Sequence, residues 1–400
     1  MMSARRFRQR ERGAAILLAM LIVVLVATAA AGTLWRQAQV MAVEAAERDR
    51  AQAAWVLNGL LDWARIIVRE DDRPSGNNSS PRRVDYLDEP WAKELKASSL
   101  AAFLALDKND SGGRDTQDLN EAFFSGRIED QNSKFNLPDL LADDLKGFDS
   151  HYEAVFNRLC SLLSIPDAER DYFKAAYLRA ARAKAGRGSE DLPANIAQML
   201  QRPRPGGDEA AQDEETKSED ALFPMSLEQL AWLGASTATL DRLRPYLVIF
   251  LPTRIDQART RQSININTAD AIMLKAAIDG CDDNCAQQIR QMSLSSGIKG
   301  FDSATQLFAQ TAFKSLAERN ASAPISGTSQ LFKVMGKLQV NRLMVEEIAV
   351  IWRPNPGDAT VYTRERAALG NFIDEGADSQ ALGADDLAAL YQREQGNGGP

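Results

Sequence analysis

Hydrophobic positions follow three different patterns along this chain, and the first is continuous. From Ala14 to Trp35 no side chain carries a charge. At 1.5 Å rise per residue a helix of that length spans roughly 30 Å, the thickness of a bilayer's hydrocarbon core. Arg5, Arg6, Arg8, Arg10 and Arg12, opposed by Glu11, precede it and hold that end in the cytoplasm. Arg36 to Glu70 contains no proline and is rich in strong helix formers, so the helix continues. Val40, Val43, Trp55, Leu57, Leu60, Leu61 and Trp63 fall there among Glu44, Glu47, Arg48, Asp49 and Arg50, an increasingly amphipathic arrangement. The pattern predicts one helix over 14–70, roughly 80 Å long, transmembrane over 14–35 and packed on a head domain beyond.

The second pattern is alternation. Phe332, Val334, Leu338 and Val340 alternate with Lys333, Lys337, Gln339 and Asn341 in the stretch from Gln330, predicting a half-buried antiparallel strand. A second apolar run, Ile348 to Trp352, stops at Pro354. Earlier, Arg127–Asp130 and Lys134–Leu137 read as two short strands joined by the turn Gln131-Asn132-Ser133.

Between these strand regions the spacing is helical. Tyr152, Val155, Phe156, Leu159, Leu162 and Leu163 share one helix face; Pro166 to Ala185 predicts a second helix ending at Gly186; Ser226-Leu227-Glu228-Gln229 is a capping-box start. The fold class is therefore α+β: a small α/β domain with an antiparallel sheet, from 71–137 and 325–366, carrying a large inserted all-α domain over 138–324. The acidic, nearly apolar-free stretch inside 204–221 predicts a disordered loop. The Gly- and Asp-rich 367–400, with only Leu387, Leu390 and Tyr391 as anchors, predicts a flexible tail.

Charge and composition narrow the chemistry. A net charge of -8 argues against a nucleic-acid binder, which needs clustered Lys and Arg to displace phosphate counterions. The single histidine, His151, begins an apolar helical series and reads as a helix-end residue, which leaves no Ser/His/Asp triad or His-rich zinc centre. No nucleophile elbow, P-loop or Rossmann pattern occurs, so the chain is not read as an enzyme. Three cysteines cannot complete a four-sulfur zinc site. Cys281 and Cys285, four apart, read as a small disulfide-closed loop, and Cys160 as a buried apolar residue. A disulfide needs an oxidising compartment, hence export.

Two processing schemes compete. Cleavage after Ala29-Ala30-Ala31 would release an inert periplasmic protein. Cleavage between Gly13 and Ala14 would instead keep the apolar helix as an anchor. Arg12-Gly13 set against an unbroken apolar helix resembles the prepilin-type leader, here 1–13, and the uninterrupted helix downstream favours that scheme.

Several segments together resemble the largest minor pseudopilin of type II secretion, the general secretion pathway protein K family. They are Arg12-Gly13 with its helix, Asp130-Gln131-Asn132-Ser133-Lys134-Phe135-Asn136-Leu137, Leu243-Arg244-Pro245-Tyr246 to Leu251-Pro252, Ile264-Asn265-Ile266-Asn267-Thr268-Ala269, and the closing strands from Gln330. The resemblance implies removal of the leader by prepilin peptidase, N-methylation of Ala14, and a single-pass subunit of the inner membrane with a cytoplasmic N-terminus and a periplasmic globular part. It also implies assembly with I- and J-type pseudopilins and the inner-membrane secretion platform, at the pseudopilus tip, where the subunit initiates or caps the filament. Most pseudopilins carry a glutamate at the fifth mature position; here that residue is Leu18. A subunit with nothing above it should lack the glutamate, because an unpartnered carboxylate in lipid is costly.

Two further motifs have competing readings. The Ile264–Ala269 segment followed by two helices around Gly280 looks like a helix-hairpin-helix, giving the alternative of a membrane-anchored periplasmic DNA-binding or DNA-uptake protein; Asp282 and Asp283 in the hairpin would repel phosphate. Asp107, Asn109, Ser111, Asp115 and Asp118 fall at positions 1, 3, 5, 9 and 12 of an EF-hand-like calcium loop with Gly112 at position 6, against the reading of a solvated polar loop.

Overall fold

Helix α1 (Ala4–Glu70) runs for 67 residues without interruption. The computed structural model describes residues 4–71, 84–99, 122–186, 194–200, 222–252, 261–295, 297–340, 343–355 and 357–367. The two halves of α1 differ in surroundings. From Ile16 to Val43 every large apolar side chain is exposed, whereas Ala53, Leu57, Leu61, Ala64 and Val68 are buried at spacings of three and four residues. That stripe is the helix face laid on a sheet.

The sheet has five antiparallel strands in the order β1 (Leu95–Ser99), β2 (Ala122–Asp130), β7 (Leu331–Val340), β8 (Leu343–Trp352), β9 (Thr360–Ala367). Register fixes which residues meet α1. Phe124 pairs with Leu338, Phe332 with Ile351 and Val334 with Ala349, and all six are buried in the two small cores between α1 and the sheet. Side chains two apart on a strand share a face, so one register sets every contact. In the same row of pairs, Gly126 faces Gly336 and Gly336 faces Glu347. With no Cβ on two adjacent strands the sheet is thin there. A cavity of about 340 Å³ opens under α1, with Leu57, Leu61, Ala64, Trp91 and Phe124 among its walls.

Between β2 and β7 lies a helical unit. Two short strands enter first, β3 (Phe135–Asn136) and, after the helices α2 (Ser150–Leu162), α3 (Asp167–Lys184), α4 (Ala194–Leu200) and α5 (Thr237–Leu243), its parallel partner β4 (Leu247–Val248). Then follow β5 (Ile264–Asn265), α6 (Ala271–Ala277), α7 (Asp283–Ser293), α8 (Ala304–Ala309) and β6 (Ile325–Ser326), which pairs in parallel with β5. One continuous core runs through it, including Phe135, Phe156 and Phe173 with ring centroids 5.6 and 6.0 Å apart, and Tyr177, Leu274 and Ile289. Caps start its helices: Asp149 accepts from the His151 and Tyr152 N–H groups, Ser236 from Thr239, Asp270 from Met273, Asp282 from Cys285 and Ser303 from Gln306.

Some sequence expectations change. Arg127–Asp130 and Lys134–Leu137 are not a hairpin. β2 is nine residues long and pairs with β7, while Phe135 and Asn136 turn away to pair with Leu247 and Val248. The reason is local: the Asp130 side chain accepts the Asn132 N–H, winding Gln131–Ser133 into a 3-10 turn that swings the chain out of the sheet. Ser226–Gln229 starts a 3-10 segment, Glu228–Leu233, rather than an α-helix; half of the capping box forms, with Gln229 Oε1 accepting from the Ser226 N–H at 3.2 Å. The edge strands β1 and β9 were not expected.

Candidate functional site

Four asparagines from the segments singled out in the sequence lie at the joint between sheet and helical unit, and all four are buried: Asn132, Asn136, Asn265 and Asn267. Each uses its carboxamide as a two-sided connector. Asn132 Oδ1 accepts from the backbone N–H groups of Gln330 and Leu331, both at 2.9 Å, while its Nδ2 donates to Ser263 O at 3.0 Å. The start of β7 is thereby tied to the approach to β5. Asn136 Oδ1 accepts from Phe250 N at 2.8 Å and Nδ2 donates back to Phe250 O at 3.1 Å, copying a strand pair across 114 positions. Asn267 does the same for Phe301, with bonds of 2.7 and 2.9 Å. Asn265 Nδ2 donates to Asp85 O at 3.0 Å, to Asp130 Oδ2 at 3.1 Å and to Ser329 Oγ at 2.7 Å.

Glycines let the backbones approach closely enough for this. A Cβ on Gly327 would lie 1.7 Å from Phe301 O, and one on Gly300, held at φ +80°, would lie 2.4 Å from Val84 Cγ1. Neither position can accept a side chain without the joint opening.

The charged part of the joint is built around Arg353, which follows β8 and is 1% exposed. Nη1 donates to Val68 O near the end of α1 at 2.9 Å; Nη2 donates to Asp85 Oδ1 at 2.5 Å and to Ser329 O at 2.9 Å; the guanidinium lies 4.8 Å from the Phe332 ring centre. One side chain therefore links α1, the segment before β1, the entry to β7 and the sheet core. Asp71, Asp85 and Glu89 bring carboxylate oxygens within 4.8 Å of one another here, and Arg353 pairs with the first two. Burial, and then the charges of Asp71 and Asp85, push the Glu89 carboxyl up to about 9, although the Tyr86 N–H and Trp91 Nε1 both donate to it.

Of the predicted site residues, Gly13 and Ala14 fall within α1. Cys281, in the turn between α6 and α7, is bonded Sγ to Sγ to Cys285 in the first turn of α7, with Cα atoms 5.4 Å apart. Cys160 is buried in the helical core, and burial pushes its thiol up to about 12. At the hairpin the exposed residues include Gly280, Asp282, Asp283 and Asn284, an acidic surface. The calcium-loop residues Asp107, Asn109, Ser111, Asp115 and Asp118, the acidic stretch of 204–221 and the tail anchors Leu387, Leu390 and Tyr391 lie outside the described residues. The joint draws in Asp85, Gln262, Ser329 and Arg353, which sequence reasoning missed; a lone arginine between the apolar run to Trp352 and Pro354 was the available signal.

One helix among the described residues is long and apolar enough to cross a membrane, with an 18-residue window of mean hydropathy 2.7 and none of that window buried. That apolar rod leads into a sheet with a helical unit between β2 and β7. The chain is similar to type II secretion system protein K. That relative, from Pseudomonas aeruginosa, is 23% identical over 370 residues, covering 91% of this chain and 95% of its own length. Among solved structures, the crystal structure of the GspK-GspI-GspJ complex from enterotoxigenic Escherichia coli contains a similar chain, with a TM-score of 0.53 and 16% identity over 81% of this chain and 98% of that one. No family model matches. The resemblance read from the sequence and the α+β fold class both hold.

Proposed function

We propose that this chain is a minor pseudopilin of a type II secretion system, a structural assembly subunit rather than an enzyme. In this reading the leader 1–13 is removed by prepilin peptidase and Ala14 is N-methylated. The apolar half of α1 anchors the subunit once in the inner membrane, with the sheet and helical unit in the periplasm. The subunit assembles with I- and J-type pseudopilins and the inner-membrane platform at the filament tip, to initiate or cap the pseudopilus that exports folded proteins.

The observation that carries the reading is α1 itself. A single helix has one end exposed and apolar and one face of the other end buried on a sheet, so it suits a subunit that is held in lipid and then extracted beside others. The width of the likeness to protein K, over nine-tenths of the chain, supports it, as does a neighbour of similar fold that was crystallised in complex with GspI and GspJ of a type 2 secretion system. Leu18 at the fifth mature position agrees with a place at the tip.

The test has two parts. The native mature chain should begin at Ala14 by intact mass, and an affinity-tagged version should co-purify with I- and J-type subunits from detergent-solubilised inner membrane. A mature chain beginning beyond Ala31 would overturn the reading. A Gly13→Val variant should keep its leader if the cleavage site is right, because a branched side chain beside the scissile bond crowds the carbonyl.

A further inference from the structure

Asp130 closes β2, the strand from which the chain leaves the sheet for the helical unit. Its buried carboxylate takes hydrogen bonds from both sides of that passage. Oδ1 accepts from the Asn132 N–H at 2.7 Å. Oδ2 accepts from Asn265 Nδ2 at 3.1 Å, from the Thr268 hydroxyl at 2.5 Å and from the Ser329 hydroxyl at 2.5 Å. Asn265 and Thr268 belong to the helical unit, and Ser329 leads into β7. The charged groups facing Asp130 are Asp85, from the segment before β1 and ion-paired with Arg353 from the end of β8, and Lys134 from the turn after Asp130. The β5–α6 segment and the approach to β7 bring uncharged donors.

We propose that Asp130 is a proton-operated latch between the sheet and the helical unit, held firmly when its carboxyl group carries the proton and less firmly when ionised. The hydroxyl partners make both states possible, since a hydroxyl can donate to a carboxylate or accept from a carboxylic acid. Thr268 suits that reversal. It is half-buried, so its own proton can turn toward water while its oxygen accepts from Asp130. The ionised form leaves a charge in a dry joint beside a second carboxylate, which is unfavourable. Burial, with a smaller push from Asp85, outweighs the hydrogen bonds from Ser329, Thr268 and Asn132 and leaves the carboxyl at about 6, against 3.8 ordinarily. For a carboxyl raised in the fold, the added stability is complete below its unfolded value and is lost as pH rises through about 6. The latch stands independently of the secretion reading, since it rests on the joint alone.

Hydrogen exchange of the full-length protein in detergent micelles, corrected for the intrinsic rate at each pH, tests it. In a Glu89→Gln background, which removes the other raised carboxyl near Asp85, peptides covering 262–269 and 326–331 should open about tenfold less readily at pH 5 than at pH 7.5. Peptides from the α2–α3 core should not change, and adding Asp130→Asn should abolish the difference at the joint. Equal protection at the two pH values in the Glu89→Gln protein, a change spread evenly over its chain, or a change that persists when Asp130→Asn is added would each overturn the proposal. The Glu89→Gln comparison decides even if the double variant does not fold.

Discussion

Arg353 and Asp85 form a buried ion pair, Nη2 to Oδ1 at 2.5 Å, with side chains 1% and 2% exposed and 268 positions apart in the chain. Removing one partner strands the other charge. Arg353→Met should destabilise the protein by about 3–5 kcal/mol in urea unfolding. Arg353→Lys should recover little of this, because one ammonium cannot meet Val68 O, Asp85 Oδ1 and Ser329 O in the same fork geometry.

The carboxamide of Asn267 satisfies both backbone groups of Phe301. Asn267→Ala leaves them buried without that partner and should cost about 1–3 kcal/mol. Gly327→Ala should cost more than Asn267→Ala, since its methyl would meet Phe301 O head-on. A smaller effect for Gly327→Ala, in the same urea series, would show that the joint yields more easily than its packing implies.

Glu89 sets a second pH dependence, and it shares with Asp130 the neighbouring charge of Asp85. Its carboxyl is raised to about 9 by burial and by Asp71 and Asp85. The protonated form is therefore favoured in the fold, and that stability declines as pH rises from the ordinary carboxyl range through about 9. Glu89→Gln should match the wild type closely at low pH. Urea midpoints compared between pH 6 and pH 9.5 should show the wild type losing ground to the variant, with the difference levelling off above pH 9.

The Cys281–Cys285 bond closes a five-residue loop. Constraining so short a loop is worth about 2 kcal/mol in the unfolded chain. Cys281→Ser with Cys285→Ser should lose about that amount and still keep the α6–α7 turn, because Asp282 continues to cap α7 through the N–H of residue 285. Circular dichroism of the double variant should accordingly show unchanged helix content.

The two faces of the head-side half of α1 predict opposite sensitivities. Leu57 is buried against the sheet and Trp55 is 76% exposed. Leu57→Ala should destabilise the head by about 2–5 kcal/mol, and Trp55→Ala by less than about 0.5 kcal/mol, in thermal or urea unfolding.

The long elements were legible in the sequence because their patterns are long. α1 follows from an uncharged run and the absence of proline, and β7 from ten residues whose apolar positions alternate. β8 was caught only at its apolar end, since Glu346 and Glu347 are both buried within it and break the pattern. β1 and β9 escaped because edge strands face solvent along one side and carry residues such as Lys96, Arg364 and Glu365 that no core demands. The joint was half legible. Its asparagines stood out as segments, but nothing local tells that Asn132 meets Ser263 or that Asn265 meets Asp85, 180 positions away. Only the folded chain brings these groups together, and the glycines that permit it look like ordinary turn residues.

No proline interrupts α1, and its head-side half is clamped by five side chains and by the Arg353 bond to Val68. A stiff shaft of this kind does not absorb travel along its length. Any lift or twist applied at its apolar end would arrive at the sheet as motion of the whole head, and through the asparagine stitches the helical unit would be carried with it as freight.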